Sequence, residues 1–285
     1  MSKPDYLYHY TSIDGLAHIL KSKQIRFSRL DLLDDVNEGQ SKDSVDWRKY
    51  YFVSCWTANE EESIPLWHMY TPDMKGVRLK LPTKLFKTYT TNLSELPKFL
   101  KFPDAATANA PQGANIKVFS LMPYNVIHGE DYIVTNAFSE ENWLFKVEYT
   151  DDEKLLNQDL ISYNDHLKMT QINSFEVAKY KKKVWSFQDE WRFRICCFNA
   201  APLSLKDKMS ENDYYNLMVK EVSTLGKGVS QQYFFMDIDN NAFNSIEISL
   251  GPKLESAQEL IVDALVKTYC PTANVTKSTL SGHIR

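Results

Sequence analysis

Glycine and proline are scarce in this chain, nine and eleven among 285 residues, which excludes collagen-like repeats and linker-rich architectures. Cysteine is scarcer still. Cys55, Cys196, Cys197 and Cys270 form no CxxC spacing, and two adjacent cysteines on a strand point to opposite faces. They are expected to be reduced core thiols and not a disulfide or zinc set. The six histidines also lack zinc-ligand spacing, so no metal site is expected. No stretch approaches the roughly 18 apolar residues of a membrane span, and the N-terminus has no apolar region of signal-peptide type. The expectation is a cytoplasmic protein with no membrane partner. Positive charge is not in excess: 33 Lys and Arg stand against 37 Asp and Glu, a net charge of −4. Binding dominated by phosphate neutralisation is thereby disfavoured, while a local basic cleft stays open. The GxxxxGK[ST], GxGxxG, GxSxG and HExxH motifs are all missing, which removes the simplest nucleotide, hydrolase and metalloprotease readings.

What is present is enough apolar sequence for a sizeable core, 43% hydrophobic with sixteen tyrosines, a composition that suits a strand-rich fold or a stacking site. The length fits one large domain or two small ones at roughly 150 residues each. The expectation is one domain over residues 1–285 with an inserted segment near residues 89–140. Thr11 with Asp14 three residues on resembles a capping box, and Leu16, Ile19 and Leu20 then recur at helical spacing. Strands are predicted over residues 25–28, 50–57, 76–81, 116–122, 143–149, 191–198, 233–238 and 246–250. In the third of these, Val77, Leu79 and Leu81 face inward and Arg78 and Lys80 outward. Helices are predicted over 60–70, 174–183, 211–222 and 257–269, and residues 101–114 read as an exposed loop. Strands and helices follow no regular βαβ alternation, so the fold class is α+β, with mixed, largely antiparallel sheets and flanking helices.

Three constellations carry chemistry. In the first, Tyr8-His9-Tyr10-Thr11 ends a short strand just before a capped helix, where free N–H donors suit ribose or phosphate. The bland alternative is a structural histidine. The second joins Ser54-Cys55-Trp56-Thr57 to Ser63 and a short helix with Trp67 and Tyr70, which are three apart and so share a face. That pair serves either as core or as a ligand platform. The third is residues 185–194. Strand alternation sets Trp191, Phe193 and Ile195 on one face and Glu190, Arg192 and Arg194 on the other. The second face is either a surface ion-pair ladder or the wall of a cleft. The basic run Lys179, Lys181, Lys182 and Lys183 reads as a solvated helix end.

Several of these residues also carry a resemblance. Residues 7–12, Gly15-Leu16, Ile19-Leu20, Phe27-Ser28, Asp35 with Glu38, residues 52–55 and 63–67, Tyr70, Lys75-Gly76-Val77 and residues 185–192 fall in order. Together they resemble the bacterial family named domain of unknown function 2971, densely over residues 6–81 and again over 181–195. The family pattern Trp-x-x-Glu-x-Glu-x-Arg has Gln188 in place of its first Glu here, leaving Glu190 alone.

More distantly, His9-Tyr10-Thr11 before the helix is similar to the first motif of ADP-ribosyltransferases. The resemblance implies a split sheet, NAD as substrate, and a macromolecular acceptor, protein or nucleic acid, that stays unidentified. It implies Glu190, His9 and Tyr70 as catalytic residues. His9, Tyr10, Thr11, Ser28, Arg29, Ser54, Trp56, Ser63, Trp67 and Arg192 would bind NAD, with Arg29 or Arg192 on the diphosphate. A toxin or phage-defence effector is the implied role. The rival expectation is a non-catalytic module that binds a nucleotide or nucleic acid, marked by Glu190 locked in an ion pair with an arginine. A metal-dependent nuclease on Asp34, Asp35 and Glu38 is the weakest alternative, since no second carboxylate cluster with a Lys partner accompanies them.

Overall fold

The computed structural model describes residues 2–93, 116–140, 143–165, 169–173 and 175–284. In chain order the first elements are β1 (Tyr6–Thr11), α1 (Ile13–Ser22), β2 (Gln24–Arg29), β3 (Tyr51–Thr57), α2 (Ile64–Tyr70) and β4 (Val77–Pro82). There follow β5 (Tyr89–Asn92), β6 (Lys117–Ser120), α3 (Tyr124–Ile127), β7 (Tyr132–Val134), β8 (Leu144–Lys146), β9 (Glu148–Thr150) and α4 (Glu153–Leu156). The last part holds β10 (Ile161–Asn164), β11 (Met169–Ile172), β12 (Tyr180–Lys182), β13 (Glu190–Asn199), α5 (Glu211–Ser223), β14 (Tyr233–Asp237), α6 (Asn240–Asn244), β15 (Glu247–Leu250), α7 (Ser256–Tyr269) and β16 (Asn274–Lys277). This is the expected α+β class, with antiparallel pairing throughout except β9 with β12 and β15 with β16.

The main sheet runs β14-β2-β3-β1-β4-β15-β16. β13 pairs along the whole of β3, from Glu190 opposite Thr57 to Cys196 opposite Tyr51. The opposite edge of β3 is therefore shared. β2 holds only Phe52 and Val53 of it, and β1 holds only Thr57. Between these contacts β1 and β2 diverge, leaving residues 54–56 without a strand neighbour on that edge. The sheet is split at this point, and α1, which joins β1 to β2, bridges the fork.

The core forms where the sequence places it. Leu16, Ile19, Leu20, Phe52, Val77, Leu79, Phe193 and Ile195 are all buried within one cluster. The four cysteines are free thiols, three of them buried. Helix α1 is capped by Ser12, whose side chain accepts from the Gly15 N–H at 3.0 Å. Thr11 does not take that role because it is still strand, paired with Val77. Ser12→Ala is expected to cost about 1 kcal/mol of stability, and a denaturation midpoint equal to wild type would contradict this capping.

Other expectations change. Arg78 is buried and not outward. Its guanidinium lies 4.6 Å over the Tyr8 ring and donates to the Glu60 carbonyl. No helix forms over the described part of residues 174–183. Arg192 and Arg194 take the carbonyls of Phe175, Val177 and Ala178 as acceptors, and a helix would have used such groups internally. Within the segment near residues 89–140, β7 pairs with the end of β13. The loop expected at 101–114 lies outside the described residues.

Candidate functional site

The fork leaves backbone groups of β3 that need partners. The Cys55 carbonyl takes the His9 Nδ1–H at 3.0 Å. A carbonyl only accepts, so this bond fixes the neutral tautomer and makes Nε2 the ring's acceptor. The ring also packs against Trp56, with centroids 5.0 Å apart. Burial lowers the His9 pKa below its ordinary value, so the ring is neutral at neutral pH.

Across β3 from His9 lies β13, and its charged face is not a surface ladder. Glu190, Arg192 and Arg194 are 4%, 0% and 3% exposed, because residues 175–181 cover them. Arg192 grips Glu190 bidentately, with Nε to Oε1 at 2.7 Å and Nη2 to Oε2 at 2.9 Å. Its Nη1 donates to Glu38, which is also buried. Lys181, expected at a solvated helix end, is instead 6% exposed. Its Nζ lies 3.4 Å from both Glu190 and Glu38. Two carboxylates thus face two cations, and the buried cluster is formally neutral. Burial alone would raise the Glu190 pKa, but Arg192 and Lys181 overcome it and hold the carboxyl below its usual range.

A relay runs from this cluster to α2. Lys181 Nζ donates to Gln188 Oε1 at 2.8 Å, and Gln188 Nε2 donates to the Tyr70 hydroxyl at 2.7 Å. Burial, first of all, pushes the Tyr70 phenol up. The hydroxyl keeps its proton, and since it accepts from Gln188 that proton is available to a ligand. Burial and Glu190 likewise push the Cys55 thiol well up, so this cysteine is no thiolate nucleophile.

These groups line two adjoining spaces. The larger is a cleft of about 650 Å³ in the fork, a volume typical of small-molecule sites. The smaller is a recess of about 70 Å³ walled by Tyr8, Tyr10, Trp56 and Leu66. His9, Cys55, Tyr70 and Glu190 line both. Residues from the start, the first third and the last third of the chain therefore converge. Of the other sequence-predicted residues, Thr11, Ser28, Ser54 and Arg192 line the cleft, and Tyr10 and Trp56 the recess.

Three expected ligand-binding residues lie elsewhere. Arg29 is clamped by Asp31 and by the carbonyls of Val229 and Gln231, so it is not the phosphate group of the cleft. Ser63 caps α2 and donates its N–H to the Tyr10 hydroxyl. Trp67 is fully buried, edge-on to Tyr10, with Nε1 donating to Glu62. Of the shared helical face, only Tyr70 reaches the cleft. Sequence reasoning missed Cys55, Lys181, Gln188 and Glu38 as members of the site. Gln188 ends a short 3-10 turn and Asp189 is left-handed just before β13, so strand alternation carries no signal for Gln188. Among the described residues no group of three or more His, Cys, Asp or Glu side chains is placed to hold a metal ion, which applies to Asp34, Asp35 and Glu38 too. Among the described residues no helix is long and apolar enough to cross a membrane.

Two of the described histidines, half-buried His9 and buried His128, give a pH dependence. Burial lowers both His9 and His128, whose ordinary value is 6.5. The unfolded chain then binds protons that the folded chain refuses, so their stabilising contribution is complete above about pH 6.5 and lost progressively below it. The thermal midpoint is expected to fall between about pH 7 and about pH 5.5. His128→Gln should flatten the profile, and an unchanged slope would show that His128 carries none of it.

Searches of curated proteins and of solved structures returned no match. Residues 66–193, which include Tyr70, Lys181, Gln188, Glu190 and Arg192, match the family model described as Protein of unknown function (DUF2971), and over that stretch the chain is similar to this family.

Proposed function

We propose that the cleft binds NAD and that the chain is an ADP-ribosyltransferase-like enzyme. The observation that carries this reading is the convergence of His9, Tyr70 and Glu190 on one cleft and on the aromatic recess that shares these residues with it. The nicotinamide ring would enter the recess and stack on Trp56 or Tyr70. Glu190 Oε2 accepts from both Arg192 and Lys181, while Oε1 keeps a lone pair beyond its bond to Arg192, enough to accept a ribose 2′-hydroxyl. His9 Nε2 would accept from the adenosine ribose. The bond between ribose C1′ and the pyridinium nitrogen breaks, and its electron pair leaves with neutral nicotinamide. The oxocarbenium-like centre is then captured by an acceptor hydroxyl, amine or base nitrogen, which releases a proton. Water in that place would make the enzyme an NAD glycohydrolase. The setting would be a bacterial cytoplasm and the role that of a toxin or phage-defence effector.

One observation favours a second reading. The bidentate grip of Arg192 neutralises Glu190 in the resting structure, which weakens the field available to a developing cation. That arrangement suits a non-catalytic nucleotide-binding module. Incubating the pure chain with NAD, with and without cell lysate, separates the readings. Free nicotinamide supports the enzyme, saturable NAD binding without nicotinamide supports the module, and neither result would remove NAD from the cleft.

A further inference from the structure

The outer part of the cleft lies on the side of β2 and β14 that turns away from the core. Ile25, Phe27, Phe234 and Met236 are buried, so the alternating residues Arg26, Ser28, Tyr233 and Phe235 present the other face. The register sets Arg26 opposite Phe235 and Ser28 opposite Tyr233. Arg26, Ser28 and Phe235 line the cleft, and Phe235 is 53% exposed. Arg26 lies 5.1 Å from the Tyr233 ring centroid, and among the described residues no carboxylate pairs with it. The other Lys and Arg side chains of the lining, Lys181 and Arg192, are neutralised by Glu38 and Glu190.

We propose that Arg26 and Phe235 form a subsite for a purine nucleoside diphosphate. The guanidinium pairs bidentately with the diphosphate, and the purine stacks on the open Phe235 ring. The proposal rests on the NAD reading and gives the dinucleotide a direction, with nicotinamide in the recess and adenosine toward β14. Arg26 takes the place that the clamped Arg29 cannot fill. Asp14 and Asp34 also line the cleft, with no basic partner among the described residues. The uncompensated charge of the lining is then two carboxylates against one guanidinium. A diphosphate is held against that repulsion chiefly by Arg26, so the acids and the arginine should act with opposite sign.

Calorimetric titration of the full chain with ADP-ribose and with adenosine tests this. Arg26→Ala should weaken ADP-ribose binding by about 10- to 100-fold, as for one charge-assisted contact, and leave adenosine unchanged. Phe235→Ala should weaken both ligands about tenfold through lost stacking. Asp34→Asn should tighten ADP-ribose and not adenosine. All three side chains are on the surface of the cleft, so thermal midpoints should match wild type and exclude misfolding as the cause. If the wild type binds NAD and ADP-ribose while Arg26→Ala and Phe235→Ala bind equally well, the subsite is wrong and the NAD reading stands. If the wild type binds neither ligand, both fall.

Discussion

Arg192→Met is expected to destabilise the fold by about 3–5 kcal/mol, the usual cost of stranding a buried charge. Arg192 is fully buried and supplies partners to Glu190, Glu38 and the Ala178 carbonyl. Without it two buried carboxylates face Lys181 alone, and the cluster passes from neutral to a net charge of −1. Arg192→Lys should recover only part of the loss, because an ammonium cannot reproduce the two parallel bonds to Glu190. Adding Glu38→Gln to Arg192→Met should recover more, since it restores neutrality and the two sites share a partner. The acid limb should change as well. Glu190 is held below its usual range in the folded chain, so its contribution is complete above the unfolded carboxylate value and is lost as pH falls through the lower folded one. In Arg192→Met that loss should begin at higher pH. Urea denaturation at several pH values reads all of this, and wild-type stability in Arg192→Met would mean the cluster contributes nothing.

This cluster also marks where the sequence stops being legible. Alternation along β13 foretells the buried Trp191, Phe193 and Ile195. It says nothing about the charged face, because that face is covered by residues 175–181, which lie outside the strand. A carboxylate and an arginine two apart look the same whether the strand face is wet or sealed. The helical pattern over 174–183 misleads for the same reason, since local spacing carries no trace of the arginines that draw its carbonyls away. His9, Tyr70 and Glu190 stand out in the sequence because motif order survives in the chain, and they line the same two spaces. The fork that unites them is an expectation of the resemblance alone and of no local pattern, since it depends on how β1 and β2 divide one edge of β3, a matter of long-range register. Arg29 and Arg26 show the limit most simply. They lie three apart on one strand and hence on opposite faces, and only the pairing with β14 tells which one meets the cleft. The N-cap differs from expectation by one residue, where strand pairing of Thr11 with Val77 passes the cap to Ser12.

Glu190→Gln is expected to lower NAD turnover on the order of 100-fold or more, with NAD affinity little changed. Glutamine keeps the shape and an acceptor for the ribose hydroxyl, and removes the charge that the oxocarbenium-like state requires. Burial complicates the test, because the same change unbalances the cluster and lowers stability. Glu38→Gln supplies the comparison. Glu38 is equally buried and binds the same Arg192 and Lys181, yet it is not part of the lining of either space. Both substitutions remove one negative charge from one cluster, so their thermal midpoints should fall by similar amounts. Assayed below those midpoints, only Glu190→Gln should lose the 100-fold in kcat, because only Glu190 lines the cleft where the proposed substrate would lie. His9→Ala should behave differently again, raising KM more than it lowers kcat, since in the proposed mode it would hold the nucleotide without meeting the reacting carbon. Equal losses in Glu190→Gln and Glu38→Gln would assign Glu190 a purely structural part. Wild-type turnover in a folded Glu190→Gln would deny it any part in the chemistry, and the carboxylate would then be only a partner of Arg192 and Lys181.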